Sequence, residues 1–182
     1  MKITEFAEIK DVKIFEPVYY GDNRGWFVET YSYKTLKENG IDIVFVQDNH
    51  SFSAYKGTIR GFHFQKSPSA QTKIVRCIKG EILDVAVDLR KNSPTYKKFV
   101  SEILSESNRK QLFIPAGFAH GFLTLTDNCE ICYKVDKFYN TDDDRSIAWN
   151  DPEIGFDWQI KNPILSLKDQ NAPLLKDSDV NF

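Results

Sequence analysis

Long apolar runs are missing from this sequence. No stretch approaches the roughly 20 residues that a bilayer-spanning helix requires. The opening residues, MKITEFAEIK, also lack the apolar core and small-residue cleavage site of a secretory leader. We therefore expect a protein that makes no use of a membrane and that works in the cytoplasm.

Cysteine is scarce, and its spacing gives no disulfide framework. The three cysteines are Cys77, Cys129 and Cys132, an odd number. Cys129 and Cys132 form a C-x-x-C motif, but a structural zinc site would need a second pair of ligands. A redox pair would begin a helix, whereas this motif lies in the strand-like run CEICYKV. Neither zinc nor redox chemistry is predicted.

An excess of either charge is absent as well. The chain has 24 basic and 26 acidic residues and a formal net charge of -2. Proteins that bind nucleic acids usually present a basic surface. We therefore predict no nucleic-acid partner, and an anionic ligand would have to be bound by a few placed residues.

Aromatic residues and short strand-like runs are abundant. The 14 Phe and 8 Tyr favour strands, and turn-forming residues separate the runs. This spacing predicts a mainly β sandwich or barrel. No linker or repeat interrupts the 182 residues, so we expect one domain, 1–182. The predicted strands are 12–15, 26–31, 45–52, 58–64, 72–78, 81–89, 99–104, 111–114, 121–126 and 130–135.

Helices and turns are predicted between these strands. A helix is predicted at 33–39, ended by Gly40, and another within 163–169. Lys79 and Gly80 predict a hairpin turn between two β-rich runs. The run 149–158, WNDPEIGFDW, is typical of a lid or an edge loop.

A lysine inside a strand pattern is the first sign of a functional site. Strict alternation places Lys73 on the face shared by Val75 and Cys77. A lysine directed into an apolar interior is costly unless it is paired, and its pKa is readily lowered. Either Lys73 is an edge residue whose ammonium reaches water, or it is a cation kept in a cavity to meet negative charge.

His63 and Arg60 lie in another strand pattern, TIRGFHF. Gly61 leaves room beside His63, as though something must approach the backbone. Alternation puts Arg60 and His63 on opposite faces, and a bulge at Gly61 would bring them to one face. His63 is either a structural histidine or part of a site.

Three more polar residues lie on apolar strand faces. Tyr133 shares a face with Ile131 and Val135, and the pattern alone favours a core tyrosine over a proton donor at a cavity. Asp84 and Asp88 share one face of the nearly continuous apolar run 81–89. We interpret them as structural carboxylates with their hydrogen bonds satisfied.

The segment 115–120, PAGFAH, matches the second half of the cupin pattern, in which a glycine turn precedes a strand that directs a histidine inward. In metal cupins this histidine is a ligand, and a partner His-x-His motif supplies others. Here the partner segment reads His63-Phe64-Gln65, so one histidine is missing. A site built from His50, His63 and His120 remains an alternative.

Taken together, nine motifs occur in one order. They are QDN at 47–49, GTIRGFHFQ at 57–65, AQTK at 70–73, DVAVDLR at 84–90, SPT at 93–95, IPAGFAHGF at 114–122, YK at 133–134, WNDP at 149–152 and LKD at 167–169. This set resembles the dTDP-4-dehydrorhamnose 3,5-epimerase family from about Phe15 to the end of the chain. The joint occurrence is far more specific than any single motif.

The resemblance implies a cupin-like jelly-roll β-barrel with a few short helices, a homodimer, and catalysis without metal or cofactor. It implies a dTDP-linked 4-keto-6-deoxyhexose as substrate, dTDP-4-dehydro-6-deoxy-D-glucose. The implied product is dTDP-4-dehydro-L-rhamnose. A proton next to a ketone is weakly acidic, so its removal needs a base and stabilisation of the enolate, but neither nicotinamide nor metal.

Roles for particular residues follow from the same resemblance. His63 is expected to be the general base, Asp169 its partner, Lys73 the enolate stabiliser and Tyr133 the acid on the opposite face. Substrate binding is implied for Arg24, Glu29, Gln47, Asp48, Asn49, Arg60, Lys73, His120, Phe138, Asp144 and Lys168.

Some of these binding residues carry specific expectations. Arg24 and Arg60 suit a diphosphate, and Phe138, or alternatively Tyr139, would stack on thymine. Arg24 and Glu29 are candidates for a neighbouring subunit's site. Asp144 stands where the family usually has Glu, one methylene longer.

The sequence is also compatible with three rival functions. The first is an epimerase that inverts only one carbon of a related nucleotide-linked 4-keto sugar. The second is a metal-dependent cupin enzyme. The third is a module that binds a sugar nucleotide without catalysis.

Overall fold

Thirteen strands and two short helices make up the computed structural model, which describes residues 1–182. The strands are β1 (Lys2–Glu5), β2 (Lys13–Glu16), β3 (Tyr19–Asp22), β4 (Gly25–Val28), β5 (Gln47–Ser53), β6 (Ile59–Gln65), β7 (Lys73–Lys79), β8 (Glu81–Asp88), β9 (Phe99–Ser105), β10 (Gln111–Ile114), β11 (Phe118–Thr124), β12 (Cys129–Val135) and β13 (Asp144–Ser146). The helices are α1 (Tyr33–Glu38) and α2 (Leu167–Gln170).

Two antiparallel sheets pack face to face. The first sheet has the order β1-β2-β10-β7-β12-β5, the second has the order β13-β6-β11-β8-β9, and β3 and β4 form a separate hairpin. Inward residues of both sheets share one buried cluster, for example Val75 and Ile131 from the first and Ile82 and Phe118 from the second. This architecture confirms the predicted mainly β, cupin-like jelly-roll fold.

A second apolar cluster covers the outer face of the second sheet. Ile154, Trp158, Leu175 and Val180 from the C-terminal segment pack against strand residues there. Full burial of one such side chain stabilises the fold by about 1.5–3 kcal/mol. The run 81–89 is nearly continuous in apolar residues because β8 is covered on both faces. The segment 149–158 belongs to this outer layer and does not form a lid over the cavity described below.

The predicted strands all overlap observed ones, with differences at their ends. β4 stops at Val28, so 29–31 lie outside it, and β11 begins at Phe118, three residues earlier than predicted. β1, β3 and β13 were not predicted. They have three or four residues each and contain few apolar side chains.

The predicted hairpin at Lys79 and Gly80 is wrong. β7 pairs with β10 and β12, whereas β8 pairs with β11 and β9. The turn therefore carries the chain from one sheet to the other. Gly80 has a φ of +77°, and a Cβ there would lie 2.6 Å from Thr126 Oγ1. The tight turn was predicted correctly, but the pairing of its flanking strands was not.

Both predicted helices are present. Ser32 caps α1 by accepting a hydrogen bond from the Thr35 amide at 3.3 Å, and the helix ends before Gly40, whose φ is +83°. α2 lies at the end of the range 163–169 and is capped by Ser166. No helix has the length and apolarity that crossing a membrane demands.

A bulge in β6 turns Arg60 and His63 to the same side of the sheet. His63 pairs with His120 and Arg60 pairs with Phe122, so β6 has one residue more than β11 over this stretch. Gly61 has a φ of +131°, and a Cβ on it would lie 2.5 Å from the Gly121 Cα. The bulge suggested by the sequence is confirmed, and it depends on this approach of two backbones.

Replacing Gly61 by alanine should destabilise the protein by on the order of 3 kcal/mol, because the added Cβ meets backbone and the φ is positive. Urea unfolding would measure the change. Gly21→Ala is the control, since its Cβ would meet nothing closer than 3.6 Å. Equal stability of the two variants would contradict this account of the bulge.

Candidate active site

A cavity of about 390 Å³ opens between the two sheets. Polar side chains from both sheets line it, although apolar residues fill the rest of the interior. The first sheet contributes Gln47, Asn49, Ser51, Lys73 and Tyr133, and the second contributes Arg60, His63, Gln65, His120 and Asp144. The cavity thus brings together three of the four predicted catalytic residues and six of the predicted binding residues.

Lys73 is a cation held inside this cavity. Its strand, β7, lies between β10 and β12, so the edge-strand alternative is wrong. The residue is only 9% exposed, and its Nζ lies 6.0 Å from the centre of the Tyr133 ring. Burial lowers the pKa of Lys73 to about 8, an effect that the negative charges of Asp84 and Asp144 oppose. A buried ammonium of this kind is suited to stabilise negative charge on a ligand.

His63 forms a dyad with Asp169, the fourth predicted catalytic residue. The His63 Nε2 lies 2.5 Å from Asp169 Oδ1. Asp169 is buried and reaches the histidine from α2, in the C-terminal segment. Its other oxygen accepts a hydrogen bond from the Ser166 hydroxyl at 2.7 Å. Ser166, which caps the four-residue helix α2, therefore also orients the Asp169 carboxylate.

The protonation of this dyad follows from the environment of the carboxylate. Burial raises the pKa of Asp169, but the hydrogen bond and charge of His63, together with hydrogen bonds from Ser166 and the Gly61 backbone, outweigh it and leave the pKa below the ordinary value. An ionised carboxylate can only accept, so Nε2 of His63 carries a proton and donates it to Asp169. In the neutral form of the imidazole, the lone pair of Nδ1 is then free to act as a base.

His120 forms a second dyad, with Asp84. The His120 Nε2 lies 2.6 Å from Asp84 Oδ1, and both residues are buried. The second oxygen, Asp84 Oδ2, has no hydrogen-bond partner. Asp84 is therefore not the satisfied carboxylate that was predicted, whereas Asp88 is, with bonds from Arg90, Ser93 and Thr95. No local pattern predicts the pair, because the register of β8 on β11 places Asp84 near His120.

Tyr133 also differs from a simple core tyrosine. It packs against the inner cluster, yet it lines the cavity. Burial raises the pKa of the phenol, while the Arg60 charge partly offsets this. The hydroxyl therefore keeps its proton at neutral pH and can donate it. His63 and Tyr133 belong to opposite sheets, so they face a ligand from two sides.

Asp144 lines one side of the cavity and forms an ion pair with Lys168. The Asp144 Oδ2 accepts from the Lys168 Nζ at 2.5 Å and from the Tyr139 hydroxyl at 3.3 Å. Although the Asp144 side chain is one methylene shorter than that of Glu, its carboxylate still reaches Lys168. This ion pair joins β13 to α2.

Five predicted binding residues do not line the cavity of this chain, and one of them, Lys168, is joined to it through its ion pair with Asp144. Asp48 projects from the opposite face of β5 and pairs with Lys134 at 2.8 Å, because neighbouring residues of a strand alternate. Arg24 is exposed on the β3–β4 hairpin and pairs with Asp22 at 2.6 Å. Glu29 follows that hairpin. Phe138 is 71% exposed, next to Tyr139, which does line the cavity.

The candidate metal ligands do not converge. His50 lies on the outer face of β5 and meets Glu130, so it cannot join His63 and His120. No group of three or more His, Cys, Asp or Glu side chains is placed to hold a metal ion. Cys129 is buried and Cys132 lies on the other face of β12, as alternation requires for residues three apart.

Comparison with known proteins gives a consistent result. A family model described as dTDP-4-dehydrorhamnose 3,5-epimerase matches residues 7–177. The dTDP-4-dehydrorhamnose 3,5-epimerase of Shigella flexneri is 50% identical over 174 residues, which cover 95% of this chain and 96% of that protein.

Solved structures agree over nearly the whole chain. The dTDP-4-dehydrorhamnose 3,5-epimerase of Bacillus anthracis, with TDP and PPi bound, superposes with a TM-score of 0.92 at 50% identity, covering 96% of this chain and 99% of its own. The dTDP-6-deoxy-D-glucose-3,5-epimerase of Legionella pneumophila, in complex with dTDP-4-keto-L-rhamnose, has a TM-score of 0.92 at 43% identity, with coverages of 98% and 94%.

Lysine NMR should detect the buried cation directly. We expect one lysine signal to titrate near pH 8 in the folded protein and to join the others, near pH 10.4, in urea. Asp84→Asn removes a negative charge that favours the ammonium, so it should lower the pKa of Lys73 further. A folded-state titration with no lysine near pH 8 would contradict the assignment.

Proposed function

Because this chain belongs to the dTDP-4-dehydrorhamnose 3,5-epimerase family, we propose that it converts dTDP-4-dehydro-6-deoxy-D-glucose to dTDP-4-dehydro-L-rhamnose, in dTDP-L-rhamnose biosynthesis. The reaction is an isomerisation that inverts C3 and C5, the carbons beside the C4 ketone. One observation carries the proposal. A histidine–carboxylate dyad and a neutral phenol face each other across one cavity, with a buried ammonium next to the phenol.

Proton removal begins the proposed mechanism. His63 Nδ1 takes the proton from a carbon next to the ketone, and the C–H electron pair moves into the enolate, whose charge collects on the C4 oxygen. Asp169 stabilises the imidazolium that forms. The Lys73 ammonium stabilises the enolate oxygen, and burial strengthens this interaction because little water screens it.

Inversion requires that a proton return from the other side. Tyr133 donates its phenolic proton to the carbon opposite His63, so the C–H bond re-forms with inverted configuration. The proton gained by His63 and the one lost by Tyr133 are then exchanged with water, which resets the enzyme. Repetition at the second carbon completes the reaction without any redox change.

Substrate binding is proposed for the polar residues around the same cavity. Arg60 and Lys73 supply positive charge for the anionic ligand, and the amides of Gln47 and Asn49 and the imidazole of His120 supply hydrogen bonds. Asp144 borders the cavity and is paired with Lys168. Phe138 is exposed beside the cavity wall, where an aromatic face is free to stack on thymine.

A homodimer is part of the proposal. The β3–β4 hairpin exposes three large side chains, Tyr20, Trp26 and Phe27, which are 65%, 59% and 69% exposed. It also carries Arg24, which lies outside the cavity of its own chain. A second copy would cover the apolar side chains and bring Arg24 and Glu29 to its partner's cavity.

Other features of the prediction remain proposals. One domain over 1–182 is supported by the C-terminal segment, which supplies Asp169 as the partner of His63 on β6. Cytoplasmic location and catalysis without a cofactor remain predictions. Asp48 lies on the outer face of β5, so it remains a binding candidate only if that face contacts the ligand in the dimer.

Proton NMR in deuterated water, with chelator-treated protein, tests the function. The wild type should incorporate deuterium at C3 and C5 of the substrate. His63→Asn should slow exchange by about two to four orders of magnitude, since the base is lost, while dTDP still binds. Exchange at one carbon would indicate a single-carbon epimerase, and no exchange with dTDP bound would indicate a binding module. Activity that returns only with added metal would indicate a metal cupin.

Mixing two inactive variants tests the shared site. If Arg24 serves the partner's cavity, Arg24→Ala and His63→Asn subunits should complement each other. Half of the randomly exchanged dimers would be mixed, and each would have one intact site, so about one quarter of wild-type activity should return. No recovery after verified subunit exchange would place Arg24 outside the partner's site.

A further inference from the structure

Gln65 lines the cavity, and its side chain holds a buried hydrogen-bond donor that has no partner. It is the last residue of β6, is 4% exposed and lines the cavity two residues beyond His63, on the same face of the strand. Its Oε1 accepts a hydrogen bond from the Asn140 backbone N–H at 2.8 Å. Its Nε2 has no partner.

The Asn140 contact fixes which way the amide faces. A backbone N–H can only donate, so the Gln65 oxygen must face Asn140 and the NH₂ group must face away from it. Buried polar groups are nearly always paired. An unpaired donor in a cavity wall therefore indicates an acceptor atom supplied by a ligand.

We propose that the Gln65 side-chain amide donates a hydrogen bond to an oxygen of the substrate's hexose. This inference rests on the function proposed above. It adds to the catalytic site a binding residue that recognises a hydroxyl or carbonyl oxygen of the sugar. A neutral amide matches such an oxygen, whereas the diphosphate is better matched by the Arg60 guanidinium.

The position of Gln65 and its burial both favour a contact with the sugar rather than with the nucleotide. Residues two apart in a strand are separated by about 6.6 Å, so Gln65 lies within the width of one hexose from the base, His63. Gln65, Lys73 and His120 are the least exposed polar residues of the cavity, at 4%, 9% and 8%. Tyr139, beside the proposed thymine position, is 53% exposed. The reacting sugar belongs at the deep end, with Lys73.

Two variants separate ligand binding from a structural role. Gln65→Glu keeps an oxygen for Asn140 and removes the donor, whereas Gln65→Met removes both. Calorimetry with dTDP-glucose, an unreactive hexose ligand, and with dTDP alone would measure binding. We expect both variants to bind dTDP-glucose about tenfold more weakly and to bind dTDP as the wild type does. Thermal melts would confirm that each variant is folded.

Each other outcome is informative. Wild-type binding of dTDP-glucose by Gln65→Glu, with a loss only in Gln65→Met, would show that Gln65 merely anchors Asn140 and would overturn the inference. An equal loss for dTDP and dTDP-glucose would move the contact to the nucleotide and overturn it too. Failure of the wild type to exchange substrate protons would refute the proposed function instead, because dTDP-glucose binding is measured without any reaction.

Discussion

The close approach of Gly61 to Gly121 is the constraint on which the cavity depends. With no side chain at either position, β6 can carry an extra residue while it stays paired with β11. That residue changes the alternation, so Arg60, His63 and Gln65 all line the cavity. A regular strand would turn Arg60 to the outer face, where the C-terminal segment packs. Arg60 and the proposed base, His63, would then lie on opposite sides of the sheet.

The C-terminal segment connects the outer layer to the chemistry. It covers the second sheet with apolar side chains and is fastened by Asp151, whose Oδ2 accepts from the Leu175 amide at 2.6 Å. Between these two points the chain forms α2, which directs Asp169 to His63. The ion pair of Lys168 with Asp144 holds the same helix to β13. Packing far from the cavity therefore determines the position of the carboxylate that contacts His63.

Charges in the interior are balanced across the two sheets. Lys73 comes from the first sheet, and Asp84, Asp144 and the two histidines come from the second. Burial makes the ammonium of Lys73 easier to deprotonate, while nearby carboxylates act in the opposite sense. An unpaired oxygen on Asp84 and an unpaired NH₂ on Gln65 are costly in a protein interior. Cost of this kind is typical of sites in which a ligand completes the hydrogen bonds.

The sequence by itself determined the strand content, the inward face of Lys73 and Tyr133, the possibility of a bulge at Gly61 and, through its motifs, the family. These features are local, because alternation, glycine and turn residues act over a few positions. Only the tertiary structure decided that the turn at Gly80 joins two sheets, that Asp48 faces outward, that Arg24 lies away from its own cavity and that Asp84 meets His120. Each of these depends on which strands pair and in what register, and residues far apart in the chain settle that through packing.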